Sequence, residues 1–230
     1  MTTWAIVPAA GIGQRMGSDI PKQYLPLANK PVIQHSLEKL LAVEAVQSVV
    51  VVLHADDSHF KSLSLDNKRI ATAPGGAERQ QSVLNGLDAL RDQAEEDDWV
   101  LVHDAVRPCV LVSDIENLLG QLQRHEVGGL LAAPQDNTLK RMDASGHIEA
   151  TVNRQNIWQA YTPQAFRFGI LHQALTLAAE SGVAVTDESS AVEALGLKPL
   201  LVEGDRNNVK ITRAADLALA ELILQAQTTA

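Results

Sequence analysis

The chain has 230 residues, of which 46% are hydrophobic and 3% aromatic, and its formal net charge is −9. This length suits one α/β domain with a full-sized core and leaves no room for a second catalytic domain. The acidic balance argues against nucleic acid or an anionic membrane as a partner, so a phosphate site would have to be local. Because no stretch approaches eighteen apolar residues and no basic leader is present, we expect a cytoplasmic protein.

Short β-branched runs alternate with amphipathic helical patterns over the first 134 residues. The strand-like runs are residues 4–9, 46–54, 69–74, 98–105 and 128–134, and the helical patterns are residues 30–43, 78–92 and 112–125. This alternation predicts an α/β fold with a mostly parallel, Rossmann-like sheet and helices on both faces. Further helical patterns follow at residues 166–182, 187–196 and 212–227, with a strand at residues 198–204.

Three loop-like stretches follow the predicted strands and carry small and charged residues. They are "PAAGIGQRMG" at residues 8–17, "APGGAER" at residues 73–79 and "HDAVRP" at residues 103–108. In open parallel sheets, ligands bind at the carboxyl ends of the strands. We therefore expect these stretches to meet in one crevice, although they are far apart in the sequence.

The alternation breaks at residues 137–154, where two short apolar runs flank the turn signal "DASG". This pattern predicts an antiparallel hairpin that protrudes from the sheet as an arm. No internal repeat or linker divides the remaining chain. We therefore expect a single domain over residues 1–230 with residues 137–154 as an appendage.

The opening loop does not match two common phosphate-binding patterns. A Walker A loop needs Lys and then Ser or Thr after its last glycine, whereas Gly17 is followed by Ser-Asp-Ile. The Rossmann fingerprint fails as well, because Gly11, Gly13 and Gly17 have the wrong spacing and lead to Pro21 instead of a helix. Two alternatives remain on glycine spacing alone: an open loop whose backbone approaches an anion, or a solvated surface loop.

The complete string "PAAGIGQRMGSDIPKQY" resembles the signature of nucleotidyltransferases. With "GGAERQQSV", "HDAVRP", "TVNRQNIWQAYTPQAF", "TDESSAVEALG" and "NVKIT" in the same order, the chain resembles the 2-C-methyl-D-erythritol 4-phosphate cytidylyltransferase family over essentially its whole length. Asn137 and Asn153 depart from this pattern, which has Asp there in many relatives. The resemblance implies a nucleotidyltransferase-type sheet and transfer of CMP from CTP to methylerythritol phosphate, with release of pyrophosphate.

Such a transfer needs alignment and charge neutralisation more than a nucleophilic side chain. By the resemblance, Arg15 and Lys22 would be catalytic groups that hold the α-phosphate and spread its developing charge. The backbone of Ala9, Ala10 and Gly11 would share the triphosphate.

The other two loops would supply the base pocket and the metal site. Gly75 and Gly76 allow backbone groups to approach the polar edge of cytosine, and Ser82 offers a hydroxyl to the base or the sugar. Asp104 would bind Mg²⁺, or another divalent cation, together with the phosphates. Arg107 would orient this loop by pairing with carboxylate or carbonyl oxygens and would support substrate binding.

The predicted arm leads to a partner and to an acceptor site. A two-stranded hairpin is marginally stable alone, and the resemblance implies a homodimer through residues 137–154. The arm would carry Arg154 over the crevice of the partner subunit, where it and Lys210 would bind the acceptor phosphate as catalytic groups. Weaker hydroxyl candidates for the acceptor are Thr138, Thr162 and Thr186.

Alternative readings remain open for particular residues and for the whole chain. Glu78 and Arg79 could cap the following helix instead of contributing to the base pocket. His103, the histidine nearest the proposed chemistry, is assigned a packing role. At the level of function, another CTP-dependent sugar-acid or sugar-phosphate nucleotidyltransferase would share the opening loop. A non-catalytic nucleotide-binding domain would be expected to lose one of Arg15, Lys22, Asp104 or Lys210, and all four are present.

Overall fold

The computed structural model describes residues 1–11, 20–63, 65, 68–182 and 184–229. Its strands are β1 (Thr3–Pro8), β2 (Pro26–Leu27), β3 (Lys30–Pro31), β4 (Val46–Leu53), β5 (Ile70–Pro74), β6 (Trp99–Val102), β7 (Gly128–Pro134), β8 (Leu139–Met142), β9 (Ile148–Val152), β10 (Trp158–Arg167) and β11 (Leu200–Glu203). The helices are α1 (Val32–Ala42), α2 (Arg79–Asp88), α3 (Val112–Leu122), α4 (Phe168–Ser181), α5 (Glu188–Ala194) and α6 (Ala214–Thr229). Of these described helices, none has the length and apolar character needed to cross a membrane.

The central sheet has the strand order β11-β7-β10-β6-β1-β4-β5. Strand β10 runs antiparallel to both of its neighbours, and the other pairings within the sheet are parallel. The predicted α/β fold with a mostly parallel sheet is therefore confirmed. From β1 the chain moves outward to β4 and β5, then returns to the other side of β1 as β6. This reversal creates a switch point between β1 and β6, the place where ligands bind in such sheets.

Two apolar layers cover the sheet because its strands are apolar on both faces. Helices α1 and α3 pack on one face, where Ile33 and Leu118 belong to the core. Helices α2, α4 and α5 pack on the other face, where Leu87 and Leu171 belong to a second core cluster. Helix α6 closes a third, smaller cluster that includes the fully buried Cys109.

Strand β10 was not predicted, although it lies in the middle of the sheet. Pro163 lies inside this strand and cannot donate a hydrogen bond to a neighbouring strand. Because of this, the sequence pattern of the segment argues against a strand. The sheet accommodates it with an irregular register against β7 between Ala160 and Gln164. Gln164 is buried, and its side chain bonds to the start of α5.

The predicted hairpin within residues 137–154 is present as β8 and β9, which form a two-stranded sheet of their own. At its turn the Asp143 carboxylate accepts hydrogen bonds from the backbone of Ser145 and His147. Met142 and Ile148 are 68% and 66% exposed. The hairpin therefore presents apolar side chains on its surface within this single chain.

Candidate functional site

A cavity of about 480 Å³ opens at the switch point between β1 and β6. Its walls come from the ends of β1, β5 and β6, together with the segments that precede α1 and α6. The lining residues are Pro8, Ala9, Ala10, Gly11, Lys22, Gln23, Gly76, Ala77, Glu78, Arg79, Ser82, Asp104, Ala105, Val106, Lys210 and Thr212. The described parts of the three loop-like stretches therefore converge, as the order of the strands requires.

The loop after β1 is held in place by backbone and side-chain hydrogen bonds. The Ala9 N–H donates to the Val52 carbonyl at 2.8 Å, which extends the pairing with β4 beyond the end of β1. The buried Gln23 amide donates to the carbonyls of Ala9 at 2.7 Å and Gly11 at 3.1 Å. Gln23 therefore fixes the part of the loop that lines the cavity.

Lys22 lies in a short 3₁₀ helix, Lys22–Tyr24, that is anchored on both sides. The Tyr24 hydroxyl donates to the Asp57 carboxylate at 2.6 Å. The Lys22 ammonium donates to the Ile211 carbonyl at 3.4 Å, so it bridges toward the segment that carries Lys210. Arg15, the other predicted phosphate ligand, lies outside the described residues.

The loop between β5 and α2 approaches the opposite wall closely. A Cβ atom on Gly75 would lie 2.3 Å from the Ala10 Cβ, so only glycine fits there. The Gly76 N–H donates to the Ser82 hydroxyl at 3.1 Å, and this hydroxyl donates to the Glu78 carbonyl. Glu78 is the N-cap residue of α2, but its side chain makes no capping hydrogen bond. Ser82 therefore shapes the glycine turn that lines the cavity.

Asp104, two residues after the end of β6, organises the floor of the cavity. Its carboxylate lies 3.4 Å from Arg79 Nε, 3.2 Å from Arg107 Nε and 2.9 Å from Lys210 Nζ. Burial alone would raise the pKa of this carboxyl group, but the three cations hold the pKa well below its usual range. Asp104 is therefore an anion at neutral pH that gathers three cations at one point.

Arg79 is tied to a second carboxylate. Its two terminal nitrogens donate to the carboxylate oxygens of Glu188 at 2.6 and 3.1 Å, a bidentate pair across 109 residues of sequence. Burial disfavours the charged guanidinium, but Glu188 and Asp104 outweigh it and raise the pKa of Arg79 further. Arg79 therefore remains a cation at the cavity, where its side chain is one-third exposed.

A hydrogen-bond chain fixes the backbone of Asp104. The Asp104 N–H donates to the Thr162 hydroxyl at 3.0 Å, and that hydroxyl donates to Nδ1 of His103 at 3.1 Å. A carbonyl oxygen can only accept, so His103 Nε2 donates to the Arg107 carbonyl at 3.1 Å, and the lowered pKa of the ring leaves Nδ1 unprotonated at neutral pH. Complete burial lowers the pKa of His103 to about 4. Its role is to hold the loop, which agrees with the predicted packing role.

Several predicted acceptor-site residues do not line this cavity within the described chain. Arg107 is buried and bonds to Asp104 and to the Asn208 carbonyl at 2.7 Å. Thr162 is buried beneath the Asp104 loop. The remaining residues are exposed and lie on the hairpin segment or before α5, namely Thr138, Arg154 and Thr186. A single subunit therefore brings Lys210 to the cavity but not Arg154.

Sequence reasoning assigned no role to Gln23 or Glu188. For Gln23, the signal in the sequence was its place inside the "PKQY" motif, in a segment whose pattern is typical of a loop. Glu188 lies in "TDESSAVEALG", but no local pattern connects it with Arg79 in another loop. Such a partnership becomes visible only when β10 brings α5 next to α2.

Among the described residues that line the cavity, Asp104 is the one buried carboxylate, and this limits the kind of metal site that these residues can form. Among the residues that the structure describes, no group of three or more His, Cys, Asp or Glu side chains could hold a metal ion. Mg²⁺ commonly binds one or two carboxylates and completes its shell with substrate phosphates and water. Asp104 fits that requirement as one ligand, and the described residues do not supply a site built from protein ligands alone.

Comparison with known proteins identifies the family of this chain. The sequence model of the 2-C-methyl-D-erythritol 4-phosphate cytidylyltransferase family matches residues 3–226. A protein of that name from Pseudomonas entomophila is 53% identical over 216 residues, which cover 93% of this chain and 92% of the relative. Another from Hahella chejuensis is 47% identical over 223 residues, which cover 96% of this chain and 92% of the relative.

Solved structures that are similar to this chain carry names from the same family. A 4-diphosphocytidyl-2C-methyl-D-erythritol synthase has a TM-score of 0.85 at 37% identity and covers 97% of this chain and 98% of its own. The 2-C-methyl-D-erythritol 4-phosphate cytidylyltransferase from Thermus thermophilus has a TM-score of 0.80 at 28% identity, with 98% and 100% covered. The chain belongs to the 2-C-methyl-D-erythritol 4-phosphate cytidylyltransferase family.

Proposed function

We propose that this chain transfers the cytidylyl group of CTP to 2-C-methyl-D-erythritol 4-phosphate, giving 4-diphosphocytidyl-2-C-methyl-D-erythritol and pyrophosphate. The observation that carries the proposal is the meeting of Lys22, Arg79 and Lys210, from three separate segments, around one cavity beside a Gly-Gly loop. Two polyanionic substrates require such a concentration of positive charge in a chain that is acidic as a whole.

The reaction needs no covalent enzyme intermediate. A phosphate oxygen of the acceptor attacks the α-phosphorus of CTP and forms a new P–O bond, while the bond from that phosphorus to the β-phosphate oxygen breaks and pyrophosphate leaves. Lys22, and Arg15 outside the described residues, are assigned to the charge that develops at the α-phosphate. The backbone of Ala9, Ala10 and Gly11 is assigned to the triphosphate.

Selection of the base is assigned to the loop that contains Gly75, Gly76 and Ser82. The close approach of Gly75 to Ala10 leaves space for backbone groups and not for side chains. A site that hydrogen-bonds the 4-amino group of cytosine rejects a base without it, because its buried partners are left unpaired. We therefore expect CTP to be used far better than UTP, and comparable rates with the two nucleotides would contradict this assignment.

Asp104 is assigned to a divalent cation, Mg²⁺ or another, bound jointly with the substrate phosphates. When bound, such an ion neutralises phosphate charge and helps to align the substrates. Support comes from the position of the Asp104 carboxylate, which lines the cavity and remains ionised. Lys210, whose Nζ lies 2.9 Å from this carboxylate, is assigned to the acceptor phosphate.

We further propose that the chain is one domain and works as a homodimer through residues 137–154. The exposed Met142 and Ile148 would be buried there, and Arg154 would reach the acceptor phosphate in the partner subunit, supported by Thr138 and Thr186. The buried Thr162 is not assigned to the acceptor, because its hydroxyl is already bonded to the Asp104 N–H and to His103. Mixing the variants Arg154→Ala and Lys22→Ala should restore activity, since a mixed dimer contains one intact cavity. If subunits exchange and no activity returns, or if a monomer is fully active, this arrangement is excluded.

Release of pyrophosphate tests the central proposal. The purified protein is mixed with CTP, Mg²⁺ and methylerythritol phosphate, and then with a series of sugar phosphates and acidic sugars. We expect release only with methylerythritol phosphate. Release with another acceptor, and none with methylerythritol phosphate, would favour the alternative of a different CTP-dependent nucleotidyltransferase.

A further inference from the structure

Glu188 is a buried carboxylate without a place in the reaction proposed above. It is 1% exposed and belongs to the first turn of α5. Both of its oxygens accept from Arg79, on α2, at 2.6 and 3.1 Å. A buried ion pair is weak support for stability by itself, because the cost of removing both charges from water offsets their attraction. The pair therefore calls for another explanation.

The backbone around Glu188 is fixed to the central sheet. Asp187 caps α5 by accepting from the Ser190 N–H at 3.0 Å. Gln164 of β10 donates to the Asp187 carboxylate and accepts from the Ser189 N–H, each at 2.8 Å. The residues on both sides of Glu188 are thus bonded to the same strand, so its carboxylate has a defined position.

The long side chain of Arg79 has several rotatable bonds, but carboxylates on two sides restrain its guanidinium. Asp104 accepts from its Nε at 3.4 Å, while Glu188 accepts from both terminal nitrogens. These bonds use three of its five N–H donors, and the side chain lines the cavity with one-third of its surface exposed. Two donors on a guanidinium of fixed orientation suit phosphate oxygens.

We propose that Glu188 is a positioning residue that fixes the guanidinium of Arg79 in the cavity, where Arg79 binds the phosphate-bearing part of CTP. This inference rests on the proposed function. Without Glu188, Arg79 keeps its charge and its contact with Asp104 but loses the bidentate restraint. The loss therefore falls on the binding of CTP more than on that of the acceptor.

The test compares KM for both substrates in Glu188→Gln and in Glu193→Gln, a control on the exposed part of the same helix. We expect Glu188→Gln to raise KM for CTP at least tenfold and KM for methylerythritol phosphate less than threefold, and we expect the control to change neither. An unchanged KM for CTP, or an equal rise for both substrates, would overturn the inference even if the variant melts at a lower temperature.

A double-mutant cycle shows whether Glu188 acts through Arg79. In the background of Arg79→Gln, adding Glu188→Gln should change KM for CTP less than twofold, and a further tenfold rise would overturn the inference. This comparison also remains available if Glu188→Gln alone does not fold, because the double variant contains neither the Arg79 cation nor the Glu188 carboxylate and so leaves neither charge unpaired. If the wild type releases no pyrophosphate, the proposed function fails, whereas calorimetric CTP binding to the wild type and Glu188→Gln still tests Glu188.

Discussion

Replacement of Gly75 by alanine adds only one methyl group but should strongly lower kcat/KM for CTP. The new Cβ would lie 2.3 Å from the Ala10 Cβ and 3.0 Å from the Leu53 carbonyl oxygen. Because carbon atoms pack at about 3.5–4.0 Å, the two walls of the cavity must separate by about 1 Å. Gly75 cannot easily retreat, since its N–H donates to the Leu53 carbonyl at 2.7 Å. The loop that contains Ala10 therefore has to move.

The expected size of the effect follows from this displacement. Overpacking of this kind costs about 1–3 kcal/mol of stability. A shift of about 1 Å in a positioning element costs about 100-fold in rate. We expect Gly75→Ala to lower kcat/KM for CTP by about that factor and to lower Tm by several degrees, measured by pyrophosphate release and thermal unfolding.

Gly120 provides the matched control, because it is an exposed helical glycine whose added Cβ would meet no atom within 4 Å apart from its chain neighbours and the backbone of its own helix. Gly120→Ala should stabilise the protein by about 0.5–1 kcal/mol without changing kinetics. If Gly75→Ala keeps both Tm and kcat/KM, the close approach of the two walls is refuted. If only Tm falls, the approach is real but has no part in binding CTP.

Three further outcomes are expected. Lys22→Ala should lower turnover by about 10²–10³-fold, as for loss of one preorganised charge. The surface variant Lys30→Ala is the control and should leave turnover unchanged. Near-normal turnover of a folded Lys22→Ala variant would show that Lys22 is not part of the site. Asp104→Asn should raise the Mg²⁺ concentration needed for half-maximal activity and destabilise the fold by about 3–5 kcal/mol, because three cations lose their shared carboxylate; an unaltered Mg²⁺ titration would exclude Asp104 as a metal ligand. The pKa of His103 is 6.5 in the unfolded chain and about 4 in the folded protein. Between these two pH values the unfolded chain binds a proton that the folded protein does not, so acid favours unfolding. The free energy of unfolding should therefore drop by about 3 kcal/mol as the pH falls from 6.5 toward 4. Urea unfolding across that range measures this drop, and the same slope in His103→Asn would assign it to another group.

The sequence predicts the parts of this molecule that depend on local pattern. The valine-rich run of β4 and the alternation of helices and strands predict the sheet, and the strand ends predict that the segments of Ala9, Gly76 and Asp104 approach each other. The place of Lys22 is implied by the family resemblance and not by the strand ends. The sequence does not reveal β10, because Pro163 obscures a strand whose place depends on pairing with two neighbours. Glu188 is hidden for the same reason, since its contact with Arg79 exists only once β10 has positioned α5.

The buried carboxylates explain how an acidic chain maintains a cationic cavity. In the part of the chain that the structure describes, four cations lie together at the cavity and beneath it, namely Lys22, Arg79, Arg107 and Lys210. Unpaired, such a group would repel itself and adopt many side-chain positions. Asp104 and Glu188 hold three of these cations in fixed positions, and with the exposed Glu78 included the described groups still have four cations against three carboxylates. Charges that are already oriented need no reorganisation when phosphate charge develops, which is the condition under which electrostatic stabilisation is most effective. The two carboxylates thus reduce the total positive charge of the site but make the remaining charge better directed.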